Sequence, residues 1–230
     1  MSTRDWERLV PDPMFRGILI KSYEFMKKSL LDNGIVSEKV LSDRVTSTSK
    51  TRVELQEIFN GGVIQWIKTL KLSDESKNEY IRGLESSKLT DFFFLFNFTQ
   101  WNVLFPIESK RNILTGFVEK LKQQFIQASV FTIDDLISSP ITKSKEELVK
   151  IYENGTIAWI NLFHMTERSK LDLNNIIYSE GFDDFLFILN NTDWDIIPSV
   201  NIRSIILQHL EKLKSAFISH DIIDPDDVVF

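Results

Sequence analysis

The chain has 230 residues, 43% of them hydrophobic, 26% charged and 12% aromatic, with no cysteine and a net charge of -6. That length suits one sizeable domain or two small ones, and it buries roughly 70% of the unfolded surface without a covalent staple. The lack of cysteine excludes disulfides, iron–sulfur clusters, thiolate zinc sites and a thiol nucleophile. A charged, proline-bearing N-terminal segment and the want of any apolar run near roughly 18 residues predict neither signal peptide nor membrane span, hence a cytoplasmic protein.

In chain order, Ile18, Tyr23, Met26 and Leu30 give the first helical face. Residues 50–59 read as a helix with Val53, Ile58 and Phe59 inward. Asn60-Gly61-Gly62 breaks it, and 63–72 follows as a second helix with Ile64, Ile67 and Leu70. Ser73 opens the next helix, 73–86, as an N-cap followed by first-turn acids. The run Asp91-Phe-Phe-Phe-Leu-Phe96 has the composition of a buried strand, but its helical surroundings predict a short, fully buried helix. Asn97 and Thr99 then serve as the end of that helix and the cap of the next. Pro106 precedes a helix over 111–127 with Leu114, Phe117, Val118, Leu121 and Phe125 on one face. Asp134-Asp135 opens a short terminal helix, where acids favour the dipole.

The order then starts again. Residues 49–104 align without a gap to 142–197 with 17 identities in 56 pairs, and 106–137 align to 198–229 with 11 in 32. Matches include Glu54/Glu147, Gly62/Gly155, Trp66/Trp159, Asp91-Phe92/Asp184-Phe185, Asn97/Asn190, Trp101/Trp194 and Asp134-Asp135/Asp226-Asp227. The N-terminus is a partial third copy: Trp6, Leu9, Pro11, Arg16, Ile18, Leu19, Glu24, Lys27 and Leu41 precede their counterparts Trp101 through Leu136 by 95 residues. The predicted fold is all-α, an α-solenoid-like helical-repeat stack of about two and a half units, each of roughly 93 residues. It forms one domain, with a half unit at 1–45 and full units at 46–138 and 139–230. In general style this is similar to HEAT or armadillo solenoids, with a unit about twice as long as one HEAT motif.

The sequence holds little catalytic chemistry. His164, His209 and His220 are the only histidines and have no metal-ligand spacing, so no metal site is expected. His209 stands where the other copy has Phe117 and reads as a core residue. His164 stands at Lys71 and reads as a helix-end residue. Phosphate-cradling glycine loops and a nucleophile elbow are missing, and no cofactor is expected. The N-x-[ST] triplets at Asn97, Asn154 and Asn190 read as turn chemistry.

One basic residue recurs: Arg16, Arg111 and Arg203, each nine or ten residues after a tryptophan. Recurrence within a chain assigns such arginines first to a structural job, pairing a neighbouring aspartate or stacking on a ring. The alternative reading aligns them along one groove that grips an acidic peptide or phosphates, and makes them the candidate binding residues.

Charge divides unevenly among the units: +1 over 1–45, 0 over 46–138 and -7 over 139–230. An acidic last unit repels a phosphate backbone and attracts a basic protein segment. The function expected is therefore a non-enzymatic scaffold or adaptor that binds another protein through a groove or through its acidic C-terminal unit. The alternative is a nucleic-acid-acting or other enzyme on a helical-repeat scaffold, in the manner of glycosylases that extrude a base. Oligomeric state is not legible.

Overall fold

The computed structural model describes residues 12–33 and 50–228. Among them all regular structure is helical: ten α-helices and two short 3-10 turns, with no strand. The chain divides into two compact units, one formed by Met1–Ser47 with Thr69–Tyr80 and the other by Thr48–Lys68 with Ile81–Phe230.

In the first unit, α1 (Pro13–Asp32) starts where the Asp12 carboxylate accepts the Met14 and Phe15 N–H groups at 2.8 and 3.1 Å. Pro13 occupies the first helical position, where a missing N–H costs nothing. The helix carries the expected apolar face yet buries no side chain. Trp6, Leu9, Pro11 and Leu41 of the partial copy lie outside the described residues. Further on, the Ser73 hydroxyl accepts the Ser76 N–H at 3.3 Å, as the cap expected for α3 (Asp74–Ser86).

In the second unit, α2 (Arg52–Thr69) and α7 (Lys145–Leu162) begin with reciprocal caps. Thr51 N–H donates to Glu54 Oε2 at 2.7 Å, and Ser144 N–H to Glu147 Oε2 at 2.8 Å. Each helix breaks at a glycine, Gly62 (φ 75°, ψ 172°) and Gly155 (φ 79°, ψ 175°), a conformation that essentially only glycine adopts. Beyond the break, Val63 N–H donates to Thr90 O (3.3 Å) and Thr156 N–H to Asp183 O (3.0 Å). The turn after each break buries a tryptophan, Trp66 and Trp159. Val53, expected inward, is 68% exposed; it sits in the first turn of α2, and Leu55 is the buried residue there.

The phenylalanine run is helical: α4 (Phe92–Asn97) buries all six residues, and Asp91 Oδ1 accepts the Phe93 N–H at 3.0 Å. In α9 (Phe185–Leu189), Asp184 caps Leu186 in the same way at 2.7 Å. Gln100, not Thr99, stands at the cap of α5 (Trp101–Leu104) and makes no side-chain bond there. Asn97 does end α4, as expected, though not in the left-handed conformation. Its amide donates to Phe93 O (3.0 Å) and Asp135 O (2.8 Å) and accepts from Ile137 N–H (2.8 Å), tying α4 to the turn Ile133–Asp135. Asn190 likewise donates to Asp227 O at 2.9 Å.

The long helices α6 (Glu108–Gln127) and α10 (Val200–Ser219) bury Leu114, Val118, Leu121 and Phe125, and Ile206, Leu210, Leu213 and Phe217. Both are followed by a left-handed residue, Ser129 and Asp221, while Phe125 O and Phe217 O accept the N–H of the next residue, Val130 and Ile222. α8 (Glu167–Ser179) packs on α7. Phe92 stacks on Phe59 (centroids 6.0 Å apart) and meets Phe125 edge-on at 5.2 Å. Phe185 stacks on Tyr152 at 5.9 Å and meets Phe217 edge-on at 5.2 Å. Residues 81–138 and 139–230 join where α4 packs on α10 and Phe93 stacks on Phe163 at 4.7 Å. Buried Asp91 completes the junction: its Oδ2 accepts the Thr166 N–H at 2.7 Å and the Ser169 hydroxyl at 3.1 Å.

Candidate functional site

Two of the recurring arginines, Arg111 and Arg203, take up local bonds. Arg111 turns back on the segment before its own helix and donates to Phe105 O (3.2 Å) and Pro106 O (3.4 Å). Arg203 pairs with Asp195, in the segment before α10. Arg16 is half-buried on α1. Of the tryptophans, Trp66 and Trp159 lie in the core, whereas Trp101 and Trp194 are half-buried.

A different group of polar residues converges at the junction of 81–138 with 139–230. The turn Ile133–Asp135 presents two carboxylates on opposite errands. Asp134 Oδ1 accepts the Thr142 N–H (2.8 Å) and hydroxyl (3.0 Å), while Lys143 Nζ lies 3.3 Å from its Oδ2. Burial alone would raise the Asp134 pKa, but these bonds and the Lys143 charge hold it below the usual carboxylate value. Asp135 is buried and accepts the Thr132 N–H (3.2 Å) and hydroxyl in a capping box. The same Oδ2 also accepts from His164 Nδ1 at 2.8 Å. Behind the turn, Lys212 Nζ donates to Asp134 O and Leu136 O, both at 2.7 Å.

His209 faces this turn from α10. It is 3% exposed, and neither ring nitrogen has a hydrogen-bond partner. Rings enclose it: Phe163 at 4.5 Å, Trp159 at 5.5 Å and Phe93 at 5.9 Å between centroids. Burial pushes its pKa down to about 4, and the Lys212 charge adds to that. The Asp135 charge and the backbone of Asp134 and of His209 itself work the other way, but neither backbone group meets the ring in hydrogen-bonding geometry. His209, His164, Asp135, Lys143, Trp159 and Phe163 share the lining of a cavity of about 160 Å³. No group of three or more His, Asp or Glu side chains among the described residues is arranged to hold a metal ion.

The sequence pattern places His209 in the core and His164 at a helix end, without bringing the two to one cavity. The usable signal is their divergence from the other copy, where Phe117 and Lys71 stand at the aligned positions. Compared with protein-family models, with curated proteins and with solved structures, the chain finds no match.

Proposed function

We propose that the chain is a non-enzymatic helical-repeat scaffold that binds another protein through a groove or through its acidic last unit, residues 139–230. In this reading it is an α-solenoid-like array of two full units and an N-terminal half unit, and the array presents one surface in diverged copies. The observation that carries the reading is the matched geometry at positions 92 or 93 residues apart. The glycine breaks, the aspartate caps, the asparagine ties and the stacked ring pairs recur, while the net charge of the two full copies moves from 0 to -7. A retained interior with a changed exterior supports copies whose surfaces make different contacts, as the extended faces of stacked repeats do. A groove of about 550 Å³ at the junction of the copies, lined by Phe94, Leu173, Ile176, Ile197 and Val200, offers an apolar seat for a partner segment.

Crosslinking in cell extract tests the reading by comparing the native chain with one in which Glu153, Glu180, Asp183, Asp193 and Glu211 are changed to Lys. The expected outcome is loss of the crosslinked protein partners from the reversed chain. An unchanged partner set removes the acidic surface from the contact. Substituting Ile176→Arg asks the same of the groove.

A further inference from the structure

We propose that the cavity enclosed by His209, Asp135, His164 and Trp159 is a binding site for a small, neutral, single-ring heterocycle that carries a hydrogen-bond donor and an acceptor on one edge.

Four observations fix that class. The first is the unmet demand of His209. A neutral imidazole has one N–H donor and one lone-pair acceptor, and both are buried here without a partner, a state native interiors rarely leave uncompensated. The ring lines the cavity, so the missing partner belongs inside it. The second is volume. About 160 Å³ accommodates one six-membered ring, as cavities of about 150 Å³ hold benzene, and it is too small for a fused nucleoside.

The third is charge. Asp134 and Asp135 are balanced by Lys143 and Lys212, so neither an anion nor a cation gains net attraction. The carboxylates are already engaged: Asp135 Oδ2 accepts from Thr132 and His164, and Asp134 from Thr142 and Lys143. The buried side-chain atoms of this lining left without a partner are the two nitrogens of His209. The fourth is the wall, where Trp159 and Phe163 supply aromatic area against which a planar ring packs. His164 and Lys143 are about one-third exposed and mark the entrance.

The divergence of the copies points the same way. The aligned partner of His209 is Phe117, a half-buried ring on α6 with no polar atom. A histidine whose nitrogens find no protein partner has no structural advantage over that phenylalanine. The site therefore belongs to one copy only, and it stands independently of the scaffold reading.

The probes are uracil, cytosine and 2-pyridone, with benzene, benzoate and benzylamine as controls. Binding is read from the Trp159 indole N–H and histidine ring ¹⁵N shifts in the full chain. At least one of the three edge-bearing rings is expected to bind with Kd of about 1 mM or tighter, consistent with a ligand of eight or so heavy atoms. His209→Phe, which installs the residue of the aligned position 117, is expected to weaken that binding by tenfold or more, about what two lost hydrogen bonds cost. His209→Gln, which restores a donor and an acceptor, is expected to retain most of it. Melting curves of both variants establish that they fold. Equal affinity in His209→Phe overturns the proposal, as does tighter binding of benzene or of either charged ring. So does a lack of binding by every probe at about 10 mM, with His209 bonded only to water in a crystal structure.

Discussion

At the scale of single residues, the aligned aspartates show how one side chain acquires a second job. Asp184 caps α9, whereas Asp91 caps α4 with one oxygen and holds Thr166 and Ser169 with the other. His209 is the costlier departure, because a buried imidazole without partners favours its neutral form. The unfolded chain titrates this group near 6.5 and the folded chain near 4, so between those values the unfolded state binds more protons. Its contribution to stability is therefore complete above pH 6.5 and is lost as the pH falls through 4, a total of about 3 kcal/mol. The charges that face it, Lys212 from its own helix and Asp135 from the turn, act in opposite directions, and Lys143 and His164 share the cavity. His209→Phe is expected to flatten the stability profile over pH 4–6.5 in urea titrations. A profile parallel to that of the native chain would place the acid sensitivity elsewhere. The sequence shows His209 as a core residue from its aligned Phe117. It does not show the missing partners, because those depend on a turn 74 residues away.

At the scale of elements, most of the helices are legible because their signals are local. The Asn60-Gly61-Gly62 break, the buried phenylalanine helix and the faces of α6 and α10 all follow from residues within a turn or two. Asn97 ends its helix as expected, but its amide also reaches Asp135 and Ile137, about 40 residues on, and no local pattern announces that. Val53 departs because periodicity assigns a face without saying where the neighbouring helix stops covering it. The two glycine breaks permit a graded comparison. Both hold positive φ with ψ near 180°, so alanine at either costs about 1–3 kcal/mol in backbone strain. A Cβ on Gly62 would lie 3.8 Å from Thr90 O, an ordinary contact, but on Gly155 it would lie 2.5 Å from Asp183 O. The Asp183 carbonyl also accepts the Thr156 N–H, so it cannot withdraw without losing that bond. Gly155→Ala is therefore expected to lower the midpoint of thermal unfolding by several degrees more than Gly62→Ala. Equal losses would mean that strain alone decides.

At the scale of the whole chain, burial is distributed unevenly, and local stability follows it. Within the second unit, α4 buries every residue and α10 buries eight of its twenty, with Phe217 set against the rings of Tyr152 and Phe185. In the first unit, α1 buries none of its twenty, and Met14 and Phe25 are 68% and 77% exposed. An isolated helix of this length is marginal in water, because nucleation is costly and propensity alone barely offsets it. The Asp12 cap and the Lys27–Glu24 ion pair at 4.0 Å add little, since exposed pairs and caps contribute on the order of 1 kcal/mol. The amides of α1 are therefore expected to open locally, at a lower free energy than those of α10. Native-state hydrogen exchange on the full chain is expected to show α1 amides exchanging with a protection free energy of about 1–2 kcal/mol. The amides of 205–217 in α10 should exchange only near the global value. A protein partner that covers the apolar face of α1 would raise the first figure and leave the second unchanged, because mass action protects only what the partner binds. Equal protection in the two helices of the free chain would instead show that α1 shares the cooperative unit of α10, and its exposed face would then need a different account.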